Sequence, residues 1–185
     1  MNLRAKFLNI AAHEASPTPV NWNDYPDSIL SYFEALTGSV WTIDTALEVS
    51  WCSYFVYWCL IEAGVRKVKV GNAASLGSMG SVGRFRKSQT GAFADYAVGY
   101  KKYVPRPGDI YNRAVPNNHI GIVADVKVDG KKVWIKSLDG NSGPMYFSEH
   151  FYKKKRKIGY GFVYSRTEWF ELKGANDWWI SLTDD

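Results

Sequence analysis

The sequence predicts an α+β fold, in which helices come first along the chain and an antiparallel sheet follows. Up to Gly64 the apolar residues recur at spacings of three and four, the period of an amphipathic helix. From Pro105 onward, short runs rich in β-branched and aromatic residues alternate with turn residues. Helices and strands segregated along the chain in this way are typical of α+β domains. With 185 residues, of which 46% are hydrophobic, the chain is expected to form a single domain over residues 1–185.

The first two helices are predicted over residues 3–15 and 27–37. The first carries its apolar side chains on one side and ends before Pro17, because proline disrupts a helix interior. The second is followed by Gly38, a residue suited to the left-handed conformation just past a helix end. A loop is expected to lead from there to a third helix.

The third helix is predicted to begin beside Cys52, with Ser50 as its N-cap, and to end at Gly64. One apolar stripe is expected to face the core, and its members are Phe55, Trp58, Cys59 and Ala63. Cys52 lies in the first turn, where free N–H groups and the positive end of the helix dipole favour an anion. A thiol there tends to have a lowered pKa, and the thiolate is the nucleophile. Cys52 is therefore a candidate catalytic cysteine, and an ordinary core cysteine is the alternative.

Cys59 is predicted to be a core residue, because it lies two turns further along the same helix within the apolar run. In a regular helix the two cysteines are separated by a rise of roughly 10 Å, which is beyond the reach of a disulfide. Two free thiols are therefore expected.

Strands are predicted in the second half of the chain. A proline- and glycine-containing turn at residues 105–109 leads into the first of them, and the dipeptide Asp129-Gly130 is the strongest hairpin signal. The predicted strands cover residues 110–111, 119–128, 131–138, 158–165 and 169–172. Together they predict an antiparallel meander.

The hairpin brings His119 within reach of residues 139–141. A strict two-residue turn at Asp129-Gly130 places His119 opposite Gly140, and a three-residue loop places it opposite Asp139. A cysteine, a histidine, and a carboxylate or amide that holds the second ring nitrogen are the parts of a thiol acyl-transfer site. Either Asp139 or Asn141 could hold that nitrogen. A structural or surface pair is the alternative for His119.

Several classes of function are not expected. No two of the cysteines and histidines lie two to four residues apart, so no metal site is predicted. No glycine-rich turn follows a strand in the manner of a phosphate loop, and no cofactor is predicted. The longest apolar runs are too short to span a membrane, and the N-terminus does not have the shape of a signal peptide. The chain is therefore expected to be synthesised in the cytoplasm.

A basic run, residues 153–157, contains Lys153, Lys154 and Lys155 and dominates the formal net charge of +5. Such runs dock on polyanions, and a solvated turn between two strands is the alternative. No nucleic-acid partner is predicted.

Four segments, taken in order, resemble one family. Residues 51–60 resemble the nucleophile segment of the CHAP amidases (cysteine, histidine-dependent amidohydrolase/peptidases) of the papain-like, NlpC-type superfamily. The other three are the turn Pro107-Gly108-Asp109 with the strand 119–123, the segment 139–141, and Gly159-Tyr160-Gly161. The resemblance covers a core over about residues 29–165.

This resemblance implies a papain-like cysteine peptidase core, with the nucleophile helix packed on an antiparallel meander. It makes Cys52 the nucleophile, His119 the general base, Asp139 the residue that orients the imidazole, and Asn141 a polar partner in the site. The family often has glutamate where Asp139 stands, which leaves the choice between Asp139 and Asn141 open.

The resemblance also implies a cysteine-dependent peptidoglycan hydrolase, either an N-acetylmuramoyl-L-alanine amidase or a crosslink endopeptidase. Trp51 and the three lysines Lys153, Lys154 and Lys155 are candidates for contacting the substrate. A phage lysin or a secreted antibacterial effector with an immunity protein as partner would act on the cell wall or in the periplasm after lysis or secretion. The alternatives are a non-catalytic module that binds anionic polymers, and an amidase or transamidase that acts on protein side chains.

Overall fold

The computed structural model describes residues 2–16, 20, 24–46, 49–64, 93–98, 104–113, 119–146, 160–172 and 178–182. Within these ranges the helices come before the strands, as predicted. The helices are α1 (Leu3–Ala15), α2 (Pro26–Thr37), α3 (Ile43–Ala46) and α4 (Cys52–Ala63). The strands are β1 (Phe93–Val98), β2 (Ile110–Arg113), β3 (His119–Asp129), β4 (Lys132–Tyr146), β5 (Tyr160–Ser165), β6 (Phe170–Leu172) and β7 (Trp178–Leu182).

The strands form one antiparallel sheet in the order β1-β7-β2-β3-β4-β5, and β6 also pairs with β4. The predicted meander is therefore present as β2 to β5, and the α+β prediction is confirmed. The sequence did not predict β1 and β7, which pair with each other and extend the sheet beyond β2. The long strand β4 accommodates both β5 and β6 because they pair with different segments of it.

The first two helices lie where the sequence predicts them. Helix α1 covers Leu3–Ala15, and α2 begins at Pro26, the position at which proline suits a helix start. Gly38 ends α2 in the left-handed conformation, with a φ of 66°. The predicted loop before the third long helix contains the short helix α3.

Helix α4 is the central element of the helical layer, because it contacts α1 and α2 as well as β3 and β4. Its side chains are therefore buried on almost every side and not along a single stripe; the buried ones are Cys52, Ser53, Tyr54, Phe55, Val56, Tyr57, Cys59, Leu60 and Ala63. Gly64 ends the helix with a φ of 95°, as predicted. The predicted N-cap was wrong, since Trp51 occupies that position and makes no side-chain capping bond.

Helix α1 is tied to the turn that precedes β2. The guanidinium of Arg4 forms an ion pair with the fully buried carboxylate of Asp109 and donates to the carbonyl of Pro107 at 3.3 Å. Gly108 has a φ of 85°, and a Cβ atom at this position would lie 2.5 Å from Cγ of Arg4. Glycine is required here both for the backbone conformation and for the close approach of Arg4.

The β3–β4 hairpin turns one residue later than predicted. Asp129 pairs with Lys132, so the two loop residues are Gly130 and Lys131. Gly130 has a φ of 59° and Lys131 does not have a positive φ, and a positive φ at the first loop residue alone is the mark of a type II′ turn.

The pairing register between β3 and β4 shifts by one residue at Ala124, where β3 contains one extra residue. Beyond this irregularity Ile122 pairs with Leu138, and a ladder continued from that pair places His119 level with Asn141. Both predicted registers, with Gly140 or Asp139 opposite His119, were therefore wrong. The predicted proximity to residues 139–141 is nevertheless confirmed.

The basic run with Lys153, Lys154 and Lys155 lies outside the described residues. Among the helices that the structure does describe, none has the length and apolar character needed to cross a membrane.

Candidate active site

Cys52 begins α4 and lies against the start of β3. Its side chain is only 4% exposed and hydrogen-bonds to His119, with the hydroxyl of Ser50 at 3.6 Å from Sγ and the backbone of Ile120 as further partners. Burial raises the pKa of the Cys52 thiol. The hydrogen bond and positive charge of His119, together with the bonds from Ser50 and Ile120, outweigh that effect and lower the pKa below its ordinary value.

His119 is the first residue of β3 and connects the thiol to a carboxylate. Its Nε2 lies 3.4 Å from Oδ1 of Asp139, so Nδ1 is the ring nitrogen that remains for Cys52. The contact is an ion pair and not a well-directed hydrogen bond, since Nε2 makes no hydrogen bond of good geometry with any described residue, Asp139 included. Burial lowers the pKa of His119, but Asp139 and Cys52 together raise it to about 10.

Asp139 is fully buried on β4 and is held from several sides. It accepts hydrogen bonds from the hydroxyls of Tyr111 at 2.7 Å and Ser137 at 2.8 Å. Nε of Arg166 lies 3.7 Å from its Oδ2 atom. Burial raises the pKa of Asp139. The charge of His119 and the hydrogen bonds that Asp139 accepts outweigh that effect and lower the pKa below its ordinary value. The carboxylate is thus fixed in position and negatively charged.

Two glycines make room for this arrangement. A Cβ atom on Gly121 would lie 2.1 Å from Oδ1 of Asp139 and 2.8 Å from Cε1 of Tyr111. A Cβ atom on Gly140 would lie 2.5 Å from Cβ of Phe55, so this glycine lets β4 approach α4. Any side chain at either position would displace the carboxylate or the helix that carries the thiol.

Asn141 makes a different contact in the site from that of Asp139. It has a φ of 55° and follows Asp139 by two residues, in a stretch where the β4–β5 register shifts before Ser142. Its Nδ2 donates to Oγ of Ser50 at 3.3 Å. Asn141 therefore contacts a neighbour of Cys52, while Asp139 contacts the imidazole.

Trp51 does not lie where a ligand could reach it. Its side chain is 2% exposed and packs against Tyr32 of α2, with the ring centroids 6.0 Å apart. The prediction that Trp51 contacts the substrate was therefore wrong. Its aromatic ring belongs to the core that fixes the start of α4. The predicted substrate contacts of Lys153, Lys154 and Lys155 fall outside the described residues.

The residues that support the site were missed by the sequence analysis. Ser137 could have been found, because residues two apart on a strand share a face and Asp139 is two positions later. Tyr111 and Arg166 reach Asp139 from β2 and from the segment after β5, and no local pattern indicates those contacts. Ser50 was predicted as a cap and is instead a neighbour of the sulfur.

The arrangement has a definite chemical character. A thiol with a lowered pKa, an imidazole with a raised pKa and a buried carboxylate follow one another in Cys52, His119 and Asp139. Both shifts favour the thiolate–imidazolium pair over the neutral pair, and such a pair supplies a nucleophile and an acid side by side. In the described part of the chain, no three residues with metal-binding side chains lie together.

A cysteine, a histidine and an aspartate in a row are the parts of a thiol acyl-transfer site. Comparison with protein families gives the more specific assignment, since the CHAP domain model matches residues 44–141. The match includes Cys52, His119, Asp139 and Asn141 and covers more than half of the chain, which therefore belongs to the CHAP family. Comparisons with curated proteins and with solved structures gave no match.

Proposed function

We propose that this protein is a cysteine-dependent hydrolase of bacterial peptidoglycan, either an N-acetylmuramoyl-L-alanine amidase or a crosslink endopeptidase. The observation that carries the proposal is the convergence of Cys52, His119 and Asp139, with the pKa of the thiol lowered and that of the imidazole raised. CHAP domains are hydrolase-type, and peptidoglycan-like material is the substrate that the family suggests.

In the proposed reaction the thiolate of Cys52 attacks the carbonyl carbon of an amide bond in the wall. The C–N bond then breaks as the leaving amine takes a proton from the imidazolium of His119, and a thioester remains. Water next gives a proton to His119 and attacks the thioester carbon, which releases the carboxylic acid and restores the thiolate–imidazolium pair. Asp139 keeps the ring oriented and stabilises its positive charge.

The N-terminus of α4 supplies the stabilisation that the reaction requires. The first hydrogen bond that enters the helix is that of the Phe55 N–H with the carbonyl of Trp51, at 3.1 Å. The N–H groups of the preceding residues, Cys52 and Ser53, have no partner within the helix. Donors at that position are suited to the negative oxygen that develops when the thiolate adds to a carbonyl.

We propose that the helices before the matched segment belong to one papain-like catalytic domain over residues 1–185. Two contacts support this: Arg4 of α1 pairs with Asp109 before β2, and Tyr32 of α2 packs on Trp51 beside the nucleophile. Removal of either helix would expose core side chains of α4.

The biological setting remains a proposal based on the sequence. A phage lysin or a secreted antibacterial effector would meet its substrate in the cell wall or periplasm, and an effector would have an immunity protein as its partner. Because wall polymers are anionic, the run with Lys153, Lys154 and Lys155 is proposed to dock the protein on the wall. Replacing the three lysines with glutamine should then weaken wall binding at low salt, with a smaller effect at high salt.

Mass analysis of purified peptidoglycan after digestion tests the proposal and identifies the bond. An amidase releases peptides that begin at the residue attached to the sugar lactyl group, and an endopeptidase separates crosslinked peptides. The Cys52→Ala protein serves as the control for contaminating activity. Intact peptidoglycan after prolonged digestion with wild-type protein, across walls of differing peptide composition, would reject the proposal.

One observation separates this proposal from the non-catalytic alternative. A cysteine that only fills space in the core does not need a charged imidazole beside it. Cys52 hydrogen-bonds to the imidazole of His119, and this contact lowers the pKa of the thiol. The Cys52–His119 pair therefore favours an enzyme.

A further inference from the structure

We propose that Ser50 and Asn141 form a hydrogen-bond relay that holds Cys52 in its thiolate form. In this relay Asn141 donates to the hydroxyl of Ser50, and that hydroxyl donates to Sγ of Cys52. Ser50 and Asn141 are thus positioning residues for the nucleophile and not a substrate contact. The inference rests on the proposed role of Cys52, and its test below has a readout that does not depend on wall hydrolysis.

The direction of the relay follows from donor and acceptor chemistry. Nδ2 of Asn141 lies 3.3 Å from Oγ of Ser50, and an amide NH₂ group can only donate. The hydroxyl of Ser50 is therefore the acceptor in that contact. Its single hydrogen remains free to point at the other neighbour, Sγ of Cys52, at 3.6 Å. A hydroxyl that could rotate freely would spend less time in that orientation.

The backbone of β4 is built to make this contact. Asn141 is the one non-glycine residue with a positive φ in the part of the chain that the structure describes. On a regular strand Asp139 and Asn141, two residues apart, would point to the same face. The irregularity between Asp139 and Ser142, with Asn141 in the left-handed region, lets the carboxylate reach His119 and the amide reach Ser50. One irregular stretch of strand thus contacts both His119 and Ser50, the two side chains that hydrogen-bond to the thiol.

The relay also answers an electrostatic need. Cys52 is 4% exposed, and burial disfavours its thiolate, so donors around the sulfur must offset the lost solvation. His119 and the backbone of Ile120 are two of these donors, and Ser50 is the third. Ser50 is itself exposed, so water would compete for its hydroxyl unless a neighbour held it.

A purely conformational role of Asn141 is the competing explanation, because asparagine tolerates the left-handed region better than most residues. Two substitutions separate the explanations. Asn141→Gly keeps the backbone conformation and removes the amide. Asn141→Asp keeps both the conformation and the shape, but its carboxylate accepts the hydrogen of Ser50 and so takes it away from the sulfur.

The experiment measures the rate of alkylation of Cys52 by iodoacetamide as a function of pH in the folded protein. Ser50→Ala should move the acid limb of this profile to higher pH. The rate at a given pH on that limb should fall by about three- to tenfold, the effect of one lost hydrogen bond. Asn141→Gly should give a smaller change in the same direction, and Asn141→Asp a larger one. Ser39→Ala, an exposed serine just past α2, is the matched control and should match wild type.

The double variant Ser50→Ala/Asn141→Gly decides whether Asn141 acts through Ser50. If it does, the double variant has the profile of Ser50→Ala alone. Additive effects would show that Asn141 acts by another route and would overturn the relay, as would an unchanged profile for Ser50→Ala. A protein that shows the predicted alkylation profiles but leaves peptidoglycan intact would reject the proposed function and keep the relay.

Discussion

The first turn and the middle of α4 each contain a buried free cysteine, and the pKa values of these two thiols are shifted in opposite directions. Cys52 is 4% exposed and Cys59 is 0% exposed, so both residues are buried. The pKa of Cys52 is lowered, whereas burial and the negative charge of Glu14 raise that of Cys59 well above its ordinary value. Burial therefore does not decide which thiol can react.

The difference lies in the groups that face each sulfur. Cys52 has the imidazole of His119, a hydroxyl and a backbone partner around it, and each of them stabilises the thiolate. Cys59 is surrounded by core side chains, and the charged group that affects its pKa most is the carboxylate of Glu14 on α1, which accepts a hydrogen bond from Tyr32. A helix N-terminus provides space for polar partners because its first N–H groups are free, and a helix middle does not.

Replacing each cysteine in turn should give the largest contrast. Cys52→Ala removes the nucleophile and should lower wall hydrolysis by about 10⁴-fold or more, because the remaining site offers only binding and oxyanion stabilisation. Cys59→Ala should leave hydrolysis within a few-fold of wild type. Turbidity loss of purified walls measures both, with circular dichroism to show that each variant is folded. Equal losses for the two variants would mean that Cys52 has no special role.

The carboxylate behind the imidazole should give the next largest effect. Asp139→Asn removes the negative charge beside His119, so the raised pKa of the imidazole should fall and the alkaline limb of the pH–rate profile should move downward. Because the imidazolium then stabilises the thiolate less, the pKa of Cys52 should rise and the acid limb should move to higher pH. The active pH range narrows from both sides, and turnover falls by about 10²-fold.

The control for Asp139→Asn is Asp125→Asn, which removes an exposed carboxylate from β3. It should leave both limbs in place. If Asp139→Asn lowers turnover at every pH without narrowing the range, the carboxylate positions the ring but does not set its charge.

The helices and the proximity of Cys52 to His119 involve signals that are local in the sequence. Proline and glycine act within a few residues, which is why α1 and α2 end where predicted. A thiol at a helix start and a histidine on a hairpin are also local features, and they gave Cys52 and His119. The contact between His119 and Asp139 was expected, but from the wrong register. It forms in the observed register because long side chains reach diagonal neighbours as well as direct ones.

Apart from the N-cap of α4 and the hairpin turn, the errors concern contacts between distant segments. Strand β7 pairs with both β1 and β2, and no local pattern fixes a partner so far away in the chain. Trp51 beside Cys52 was expected to face the substrate, but its ring packs against Tyr32 of α2 in the core. Arg166 could not be assigned to Asp139 for the same reason. Packing between elements, and not propensity within them, decides these positions.

The two thiols should also differ in reactivity, independently of any activity on cell walls. In the folded protein at neutral pH, iodoacetamide should label Cys52 and leave Cys59 unlabelled, because only the first is a thiolate to a useful extent. After unfolding in urea both should react at similar rates. Peptide mapping by mass spectrometry assigns the label. Labelling of Cys59 at the rate of Cys52 in the folded protein would show that α4 opens and that burial does not protect its middle.

The smallest effect separates the two cysteines by stability. Cys59→Ala removes a small buried side chain from the core and should lower the free energy of unfolding by about 1 kcal/mol, the loss expected when the cavity partly relaxes. Cys59→Ser should be more destabilising than Cys59→Ala, because its hydroxyl needs a hydrogen-bond partner in an apolar site. At Cys52 the order should reverse: Ser50, His119 and the backbone of Ile120 can satisfy a hydroxyl there, so Cys52→Ser should be tolerated better than Cys52→Ala. Urea unfolding of the four variants measures the order at each site, and the same order at both would mean that the polar partners of Cys52 do not distinguish the first turn from the middle of α4.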